Sequence, residues 1–221
     1  MADRKALCLV SGGLQEISTV DRLVLPGDPL FDLHAVTKQY ADRPAWPSAL
    51  TVGEEVYTRE RADSSTGVVN TQALRLTYFT ARKPQTTTKV RVRSGTTAAG
   101  ATPTLCRIGL YLIDGAGDGT RVASILNDTS LFNLASTGFT RDWSVPYVMV
   151  AGQRYALGIL VVTTAATPTV CGYTYATSMD EEGVVSPRLT GRLNTQTDLP
   201  TSFTDASLST TINRYYGVIL P

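Results

Sequence analysis

Residues 153–162, QRYALGILVV, carry the most informative strand pattern of the chain. Successive side chains of a β-strand point to opposite faces, so this stretch would present two separate rows of residues. One row is Tyr155, Leu157, Ile159 and Val161, and the other is Ala156, Gly158, Leu160 and Val162. Because both rows are apolar, we expect neighbouring structure to cover both faces. The pattern therefore predicts a central strand of a β-sheet.

The same reasoning predicts strands on both sides of this stretch. Apolar or alternating runs separated by turn residues predict strands at 70–81, 89–93, 105–113, 121–126, 139–150, 170–176 and 215–220. Pro146 lies inside one of these runs, and proline is confined to sheet edges and bulges, so an edge or a bulge is predicted there. A further short strand is predicted at 188–193, within a long polar stretch from 180 to 205. The spacing is typical of a jelly-roll-like antiparallel β-sandwich.

The composition agrees with a mainly β chain of one or two domains. The 221 residues are 43% hydrophobic and 18% charged, with a formal net charge of +1. This near-neutral balance, without any basic run, argues against a protein that binds nucleic acid by neutralising phosphates. No stretch reaches the roughly 18 apolar residues that a membrane-spanning helix needs, so we expect no membrane partner.

The N-terminal sequence and the cysteines bear on the cellular compartment. Residues 3–5, DRK, precede only a short apolar run, which does not match a secretory signal, so we expect synthesis in a cytoplasm. The three cysteines are odd in number and far apart in sequence. They are Cys8, Cys106 and Cys171. Each lies in a strand-like apolar context, so we expect buried thiols without a disulfide and without a metal.

The first 47 residues predict an N-terminal β-hairpin unit followed by one short helix. Apolar runs predict strands within 6–25. The helix is predicted at 33–43, with Asp32 as its N-cap and Pro44 as its end. Its narrow apolar stripe consists of Leu33, Val36 and Tyr40. Because so short a helix is marginal alone, either its own domain or a second copy of the chain must cover the stripe.

The helix segment resembles a known family. Residues 34–42, HAVTKQYAD, preceded by residues 28–29, DP, resemble the Ala-x-Thr-Lys-x-Tyr-Val-Asp segment of tail fibres and other appendage proteins of tailed bacteriophages. The match departs at Ala41, where valine is usual. In that family the segment tends to lie at a trimeric stem junction. The resemblance therefore implies that the helix stripe is the oligomerisation surface of a homotrimer.

Two further stretches resemble phage virion proteins. The opening apolar run followed by residues 12–17, GGLQEI, resembles the N-terminal hairpin of phage minor structural proteins, although it could equally be an extra sheet of the main domain. The stretch from 107–111, RIGLY, through 150–158, VAGQRYALG, is similar to the β-sandwich head of minor tail and minor capsid proteins in phages of actinobacteria.

These resemblances imply a domain organisation and a function. Residues 1–47 would anchor and trimerise the chain, residues 48–67 would form a linker, and residues 68–221 would form the head. The protein would be a structural virion component, a fibre or decoration appendage of capsid or tail, made in the host cytoplasm. It would bind other copies of itself and other virion proteins, and it would aid adhesion to host-surface glycans. The alternatives are a tail receptor-binding protein with a dedicated carbohydrate site, and a cement protein without a ligand.

The inventory for catalysis is short. His34 is the one histidine, and no serine or cysteine nucleophile motif accompanies it, so a structural role is expected. Asp180, Glu181 and Glu182 lie together, whereas a glycosidase needs two carboxylates that flank a cleft. We therefore expect no enzyme and no cofactor, with a depolymerase as the weakest alternative.

One glycine-rich segment has the composition of a cation loop. Residues 114–119, DGAGDG, place Asp114 and Asp118 at a short spacing that suits calcium. The segment lacks the further oxygen ligands and the closing glutamate of the common calcium loop. A hairpin turn that needs glycine explains the same residues, so we expect no metal, with these two carboxylates as the only weak candidates.

Aromatic residues on predicted strands are the remaining functional signal. The candidate ligand-binding residues are Trp143, Tyr147, Tyr173, Tyr175 and Tyr216. Tyr215 and Tyr216 are adjacent in a predicted strand, so one of them should face outward, where an aromatic ring can stack on a sugar. The alternative is that these side chains pack in the core or between subunits.

Overall fold

The structure of this chain is a computed structural model that describes residues 7–10, 13–16, 53–57, 62, 67–100, 103–174 and 187–221. The chain divides into two compact units, Met1–Trp46 and Pro47–Pro221. Within the described residues the regular structure consists of antiparallel β-strands and one helical turn, which confirms the predicted mainly β class. This part of the chain contains no helix with the length and apolar content needed to cross a membrane.

The first unit contains a two-stranded antiparallel hairpin. Strand β1 (Leu7–Val10) pairs with strand β2 (Gly13–Glu16), in the region where the sequence predicts two strands. The predicted helix at 33–43, including Leu33, Val36 and Tyr40, lies outside the described residues.

The strands of the second unit correspond to those predicted from sequence, except that two are additional and the strand predicted at 215–220 is replaced by two strands, β13 and β14. They are β3 (Glu54–Glu55), β4 (Leu74–Thr80), β5 (Gln85–Arg93), β6 (Leu105–Ile113), β7 (Gly119–Ser124), β8 (Gly138–Met149), β9 (Arg154–Val162), β10 (Gly172–Thr174), β11 (Thr190–Leu193), β12 (Ser202–Phe203), β13 (Asn213–Tyr215) and β14 (Gly217–Leu220). The short strands β3 and β12 are the additions. A one-turn 3-10 helix covers Asp205–Ser207.

Six of these strands form an antiparallel sheet in the order β11-β4-β9-β6-β7-β12. Strand β9 lies between β4 and β6, and the side chains on both of its faces are buried. The prediction of a central strand from residues 153–162 is therefore confirmed.

A second antiparallel sheet has the order β3-β14-β5-β8, which makes β8 an edge strand. The β5–β8 register shifts between Thr87, which pairs with Tyr147, and Lys89, which pairs with Asp142. Residues 143–146 therefore bulge opposite a single residue of β5, and Pro146 is part of this bulge. The predicted placement of this proline is confirmed.

Two predicted boundaries need correction. Glu54 and Glu55, assigned to the linker at 48–67, form β3 and pair with β14, so the second unit begins before residue 68. The strand predicted at 215–220 is interrupted at Tyr216, because β13 pairs with β10 whereas β14 joins the four-stranded sheet. Pairing with strands that are distant in sequence determines both outcomes, and local patterns carry no information about such partners.

Side chains from both large sheets pack into one main core. Phe79 and Tyr155 come from the six-stranded sheet, and Trp143, Met149 and Ile219 come from the four-stranded sheet. A second cluster forms on the other face of the six-stranded sheet. Its members include Leu74, Leu76, Tyr111, Leu160, Leu199, Phe203 and Leu208. The C-terminal stretch around residues 199–208, part of which the sequence predicts to be a polar loop, therefore packs on this sheet.

The two cysteines of the second unit are buried and form no disulfide within the described residues. Burial raises the pKa of the Cys106 thiol to about 12, which makes it an inert core residue. The prediction of buried thiols holds for Cys106 and Cys171.

Candidate functional site

Trp143 belongs to the core and not to a ligand site. The residue is 5% exposed and packs within the main core. Its indole Nε1 donates a hydrogen bond to the Thr87 hydroxyl at 2.9 Å. Because the ring is covered and its one donor is satisfied, Trp143 offers no surface to a ligand, which corrects the prediction for this residue.

Tyr147 is also a packing residue. It is half-buried against the main core, and its ring meets the ring of Tyr155 edge-on, with centroids 6.2 Å apart. Burial raises the pKa of Tyr147 to about 12, and a hydrogen bond to Tyr155 adds to this effect. These contacts support the alternative that the sequence left open, in which Tyr147 stabilises the fold.

Tyr215 and Tyr216 point in different directions, as their adjacency predicts. Tyr215 is 1% exposed, and its hydroxyl donates to the carbonyl of Val68 at 3.2 Å. Tyr216 is half-buried, and its hydroxyl donates to Glu55 at 3.4 Å. Tyr175 lies outside the described residues.

Tyr173, one of the predicted ligand-binding residues, is exposed to solvent and contacts another aromatic ring. It is 37% exposed, and its ring stacks on the ring of Tyr57 with centroids 5.9 Å apart and an interplanar angle of 21°. The guanidinium of Arg214 lies over the same Tyr57 ring, 4.7 Å from its centroid. We call these three residues, Tyr57, Tyr173 and Arg214, the aromatic surface.

A short two-stranded ribbon positions two members of the aromatic surface. Strands β10 and β13 pair so that Tyr173 lies opposite Arg214. Gly172 makes this pairing possible, because a Cβ at this position would lie 2.0 Å from the backbone oxygen of Arg214. Arg214 is further fixed by a hydrogen bond from its Nη2 to the carbonyl of Tyr78 at 3.0 Å.

Strand β3 positions the third member, Tyr57. The amide of Val56 donates to the carbonyl of Gly217 at 2.9 Å, and the carboxylate of Glu54 accepts from Arg82 Nε at 2.7 Å. These contacts hold the chain immediately before Tyr57 on the four-stranded sheet. The sequence predicts a linker at this segment and so does not identify Tyr57, although the alternation of Val56 with Tyr57 is a usable signal.

The aromatic surface has the chemistry of a sugar-binding platform. Stacked tyrosine rings provide flat apolar area with polar hydroxyl ends, and a guanidinium provides donors that reach hydroxyl or carboxylate oxygens. The next register pair of the ribbon, Thr174 and Asn213, has its side chains 2.9 Å apart and by strand alternation projects from the other face. Binding sites for small ligands typically combine apolar rings with a small number of polar groups.

The two candidate metal ligands, Asp114 and Asp118, accept hydrogen bonds from backbone amides. Asp114 Oδ1 accepts from the amides of Ala116 at 2.9 Å and Asp118 at 3.0 Å, which closes the β6–β7 turn. Asp118 Oδ1 accepts from the amide of Asp205 at 2.8 Å. Among the described residues, no three histidine, cysteine, aspartate or glutamate side chains lie close enough together to hold a metal ion. These contacts agree with the hairpin-turn interpretation.

The described carboxylates include one buried adjacent pair, Glu54 and Glu55, at 2% and 7% exposure. Neighbouring residues of a strand point to opposite faces, so this pair does not flank a common cleft as glycosidase carboxylates do. His34 and the acidic residues Asp180, Glu181 and Glu182 lie outside the described residues.

Comparison with known proteins adds no family to this picture. No protein-family model matches the chain, and no curated protein matches it.

Proposed function

We propose that this chain is a non-enzymatic structural protein of a tailed-phage virion, a trimeric fibre or decoration appendage whose head adheres to host-surface glycans. The observation that carries the proposal is the aromatic surface on a β scaffold, in which the exposed Tyr173 stacks on the half-buried Tyr57 beside the half-buried Arg214. The phage-like segment at 34–42 belongs to the other compact unit, as expected if anchoring and adhesion are separate tasks.

We further propose that the second unit is a jelly-roll-like β-sandwich. Two antiparallel sheets contribute side chains to one main core, which supports this arrangement. Such a scaffold holds loops and short ribbons rigidly, and binding residues are often found on these segments.

The proposed mechanism of adhesion is multivalency. A shallow pair of tyrosines binds one sugar unit weakly, because it buries little of the ligand. Three heads in one trimer, and several trimers on one particle, would convert weak single contacts into stable attachment through effective concentration.

A polysaccharide-binding assay tests the adhesive role. The full chain would be passed over a panel of immobilised bacterial surface polysaccharides, beside the variants Tyr173→Ala and Val148→Ala. Val148 is 60% exposed on strand β8 of the four-stranded sheet, whereas Tyr173 lies on the β10–β13 ribbon, which makes Val148 a surface control. Tyr173→Ala should weaken binding by at least about tenfold, whereas Val148→Ala should bind like the wild type. Equal binding by all three proteins would contradict the role of the aromatic surface.

A cement protein is the second candidate, and one observation favours it. Val145, Val148 and Val150 are 63%, 60% and 57% exposed on or next to the edge strand β8. Exposed valines beside a strand edge to which no described strand pairs suit packing against another virion protein. Val148→Asp should then reduce particle stability and leave adsorption normal, whereas Tyr173→Ala in an adhesin should do the opposite.

A further inference from the structure

Two arginines in the second unit lie directly opposite each other, and neither forms an ion pair with a carboxylate of the described residues. Arg75 of β4 pairs in register with Arg192 of the edge strand β11, so both side chains project from the same face of the sheet. Like charges placed in this way destabilise a sheet unless something neutralises them. This face is the one that Thr77 and Phe79 share with Arg75, towards the main core.

Burial makes this arrangement costly. Arg75 is 5% exposed and Arg192 is half-buried, and the Nε atoms of both are shielded without an acceptor among the described residues. Burial lowers the pKa of Arg75, and the nearby charge of Arg192 adds to this effect. An arginine cannot relieve that cost by losing its proton at neutral pH, so it needs an anion or several acceptors.

Several arginines elsewhere in the described residues do have a carboxylate partner. Four of them form ion pairs in which the guanidinium nitrogen lies 2.7 Å or less from a carboxylate oxygen. These pairs are Arg82–Glu54, Arg107–Asp198, Arg141–Asp128 and Arg188–Asp205. By contrast, the described side chains give Arg75 one partner, the hydroxyl of Thr211, which accepts from Nη1 at 3.0 Å. Three further partly buried arginines, Arg121, Arg154 and Arg214, donate to backbone carbonyls. Arg75 and Arg192 differ from all of these because they lie opposite each other in one register pair.

Hydrogen bonds of the neighbouring backbone fix the strands that carry the two arginines. Arg192 and Ser209 exchange backbone hydrogen bonds of 3.0 and 2.9 Å, and the amide of Tyr215 donates to the Thr77 hydroxyl at 2.9 Å. The segment 209–215 is therefore fixed to β11 and β4, and it brings Thr211 to Arg75. Because Arg192 is the more exposed arginine and lies on an edge strand, a ligand would enter from its side.

We propose that Arg75 and Arg192, with the hydroxyl of Thr211, form a binding site for a small oxyanion, a phosphate, sulfate or carboxylate group. Such a group presents several acceptor oxygens to two guanidinium forks, and charge-assisted bonds of this kind are the strongest that arginine makes. This site differs from the aromatic surface and does not depend on the proposed virion role.

Calorimetric titration and thermal unfolding of the full chain test the site. Inorganic phosphate and glucuronate would be the two probes, with sodium chloride at equal ionic strength as the baseline. Arg192→Gln removes the more accessible guanidinium, and Arg91→Gln, at an exposed position of β5, is the matched control. Arg192→Lys keeps the charge without the fork, and it replaces Arg192→Gln if that variant does not fold.

The expected result is saturable binding of at least one probe and a rise in the unfolding temperature with that probe. Arg192→Gln or Arg192→Lys should weaken the affinity by at least about tenfold, and Arg91→Gln should leave it unchanged. Phosphate binding alone assigns a free oxyanion, and glucuronate binding alone assigns the acid group of a sugar. Absence of saturable binding by both probes, or equal binding by the Arg192 variant, would overturn the proposal.

Discussion

The indole Nε1 of Trp143 donates a 2.9 Å hydrogen bond to the hydroxyl of Thr87, and this bond lies where the β5–β8 register shifts. Thr87 is fully buried, and its own hydroxyl donates to the carbonyl of Leu220 at 2.8 Å. The contact therefore links the edge strand β8, its neighbour β5 and the strand β14 beyond it. It explains why an aromatic residue next to a strand irregularity is held in the core.

Replacing Thr87 by valine should destabilise the second unit. The substitution keeps the side-chain shape and leaves the Trp143 Nε1 buried without an acceptor, which costs about 1–3 kcal/mol. Urea unfolding followed by tryptophan fluorescence measures the change in free energy. Thr86→Val is the matched control, because Thr86 is exposed on the same strand, and it should change stability by less than about 0.5 kcal/mol. Equal stability of both variants would contradict a structural role for this bond.

Replacing Gly172 by alanine should disrupt the β10–β13 ribbon. The added Cβ would lie 2.0 Å from the backbone oxygen of Arg214, so one strand must shift. We expect a loss of about 1–3 kcal/mol or more, together with loss of the Tyr173–Tyr57 stacking. Chemical denaturation and the ring-proton shifts of the tyrosines measure the two effects.

Gly115 provides the control for this substitution. A Cβ at Gly115 meets nothing within 4 Å, and its backbone needs no positive φ. Gly115→Ala should therefore leave both the stability and the tyrosine shifts as they are. A Gly172→Ala protein that behaves in the same way would show that the ribbon does not depend on this close approach.

Asp128 should make stability depend on acid pH. Burial opposes its ionisation, but hydrogen bonds from Ser130 and an ion pair with Arg141 outweigh this and hold the pKa of Asp128 below its ordinary value. A carboxylate whose pKa is lowered by folding stabilises the protein above its unfolded pKa of about 3.9, and this contribution is lost as the pH falls through the folded value.

Asp128→Asn should therefore lower the free energy of unfolding by about 1–2 kcal/mol at pH 7. The difference from wild type should begin to shrink below about pH 5 and approach zero in stronger acid. Asp142→Asn is the control, because Asp142 and its partner Lys89 are mostly exposed and 3.8 Å apart, so little change is expected at any pH. A difference at Asp128 that stays constant with pH would refute the assignment.

Sequence reasoning succeeded where the signal is local. The two apolar faces of β9 and the proline in β8 each report their environment through residues a few positions away. It failed where the outcome depends on distant partners. Strand β3 has only two residues, and it forms because β14 pairs with it. Its local sequence gives no strand pattern, and a linker is therefore predicted for the segment that contains Tyr57.

The candidate binding residues follow the same division. Alternation along a strand indicated that one of Tyr215 and Tyr216 would be buried, and Trp143 is buried on the same alternating face of β8 as Phe139 and Met149. The pairing of Arg75 with Arg192 joins two strands that are far apart in the sequence of the second unit. Single arginines in alternating strands look like solvent-facing residues until that register is known.

The measurement that tests the proposed appendage most directly is the mass of the full chain in solution by sedimentation equilibrium. The account predicts a trimer, with three times the 23.7 kDa mass of one chain, and it predicts that Val36→Asp converts this trimer to a monomer with a folded second unit. A wild-type protein that sediments as a folded 23.7 kDa monomer at all concentrations would contradict the proposed trimerisation through Leu33, Val36 and Tyr40.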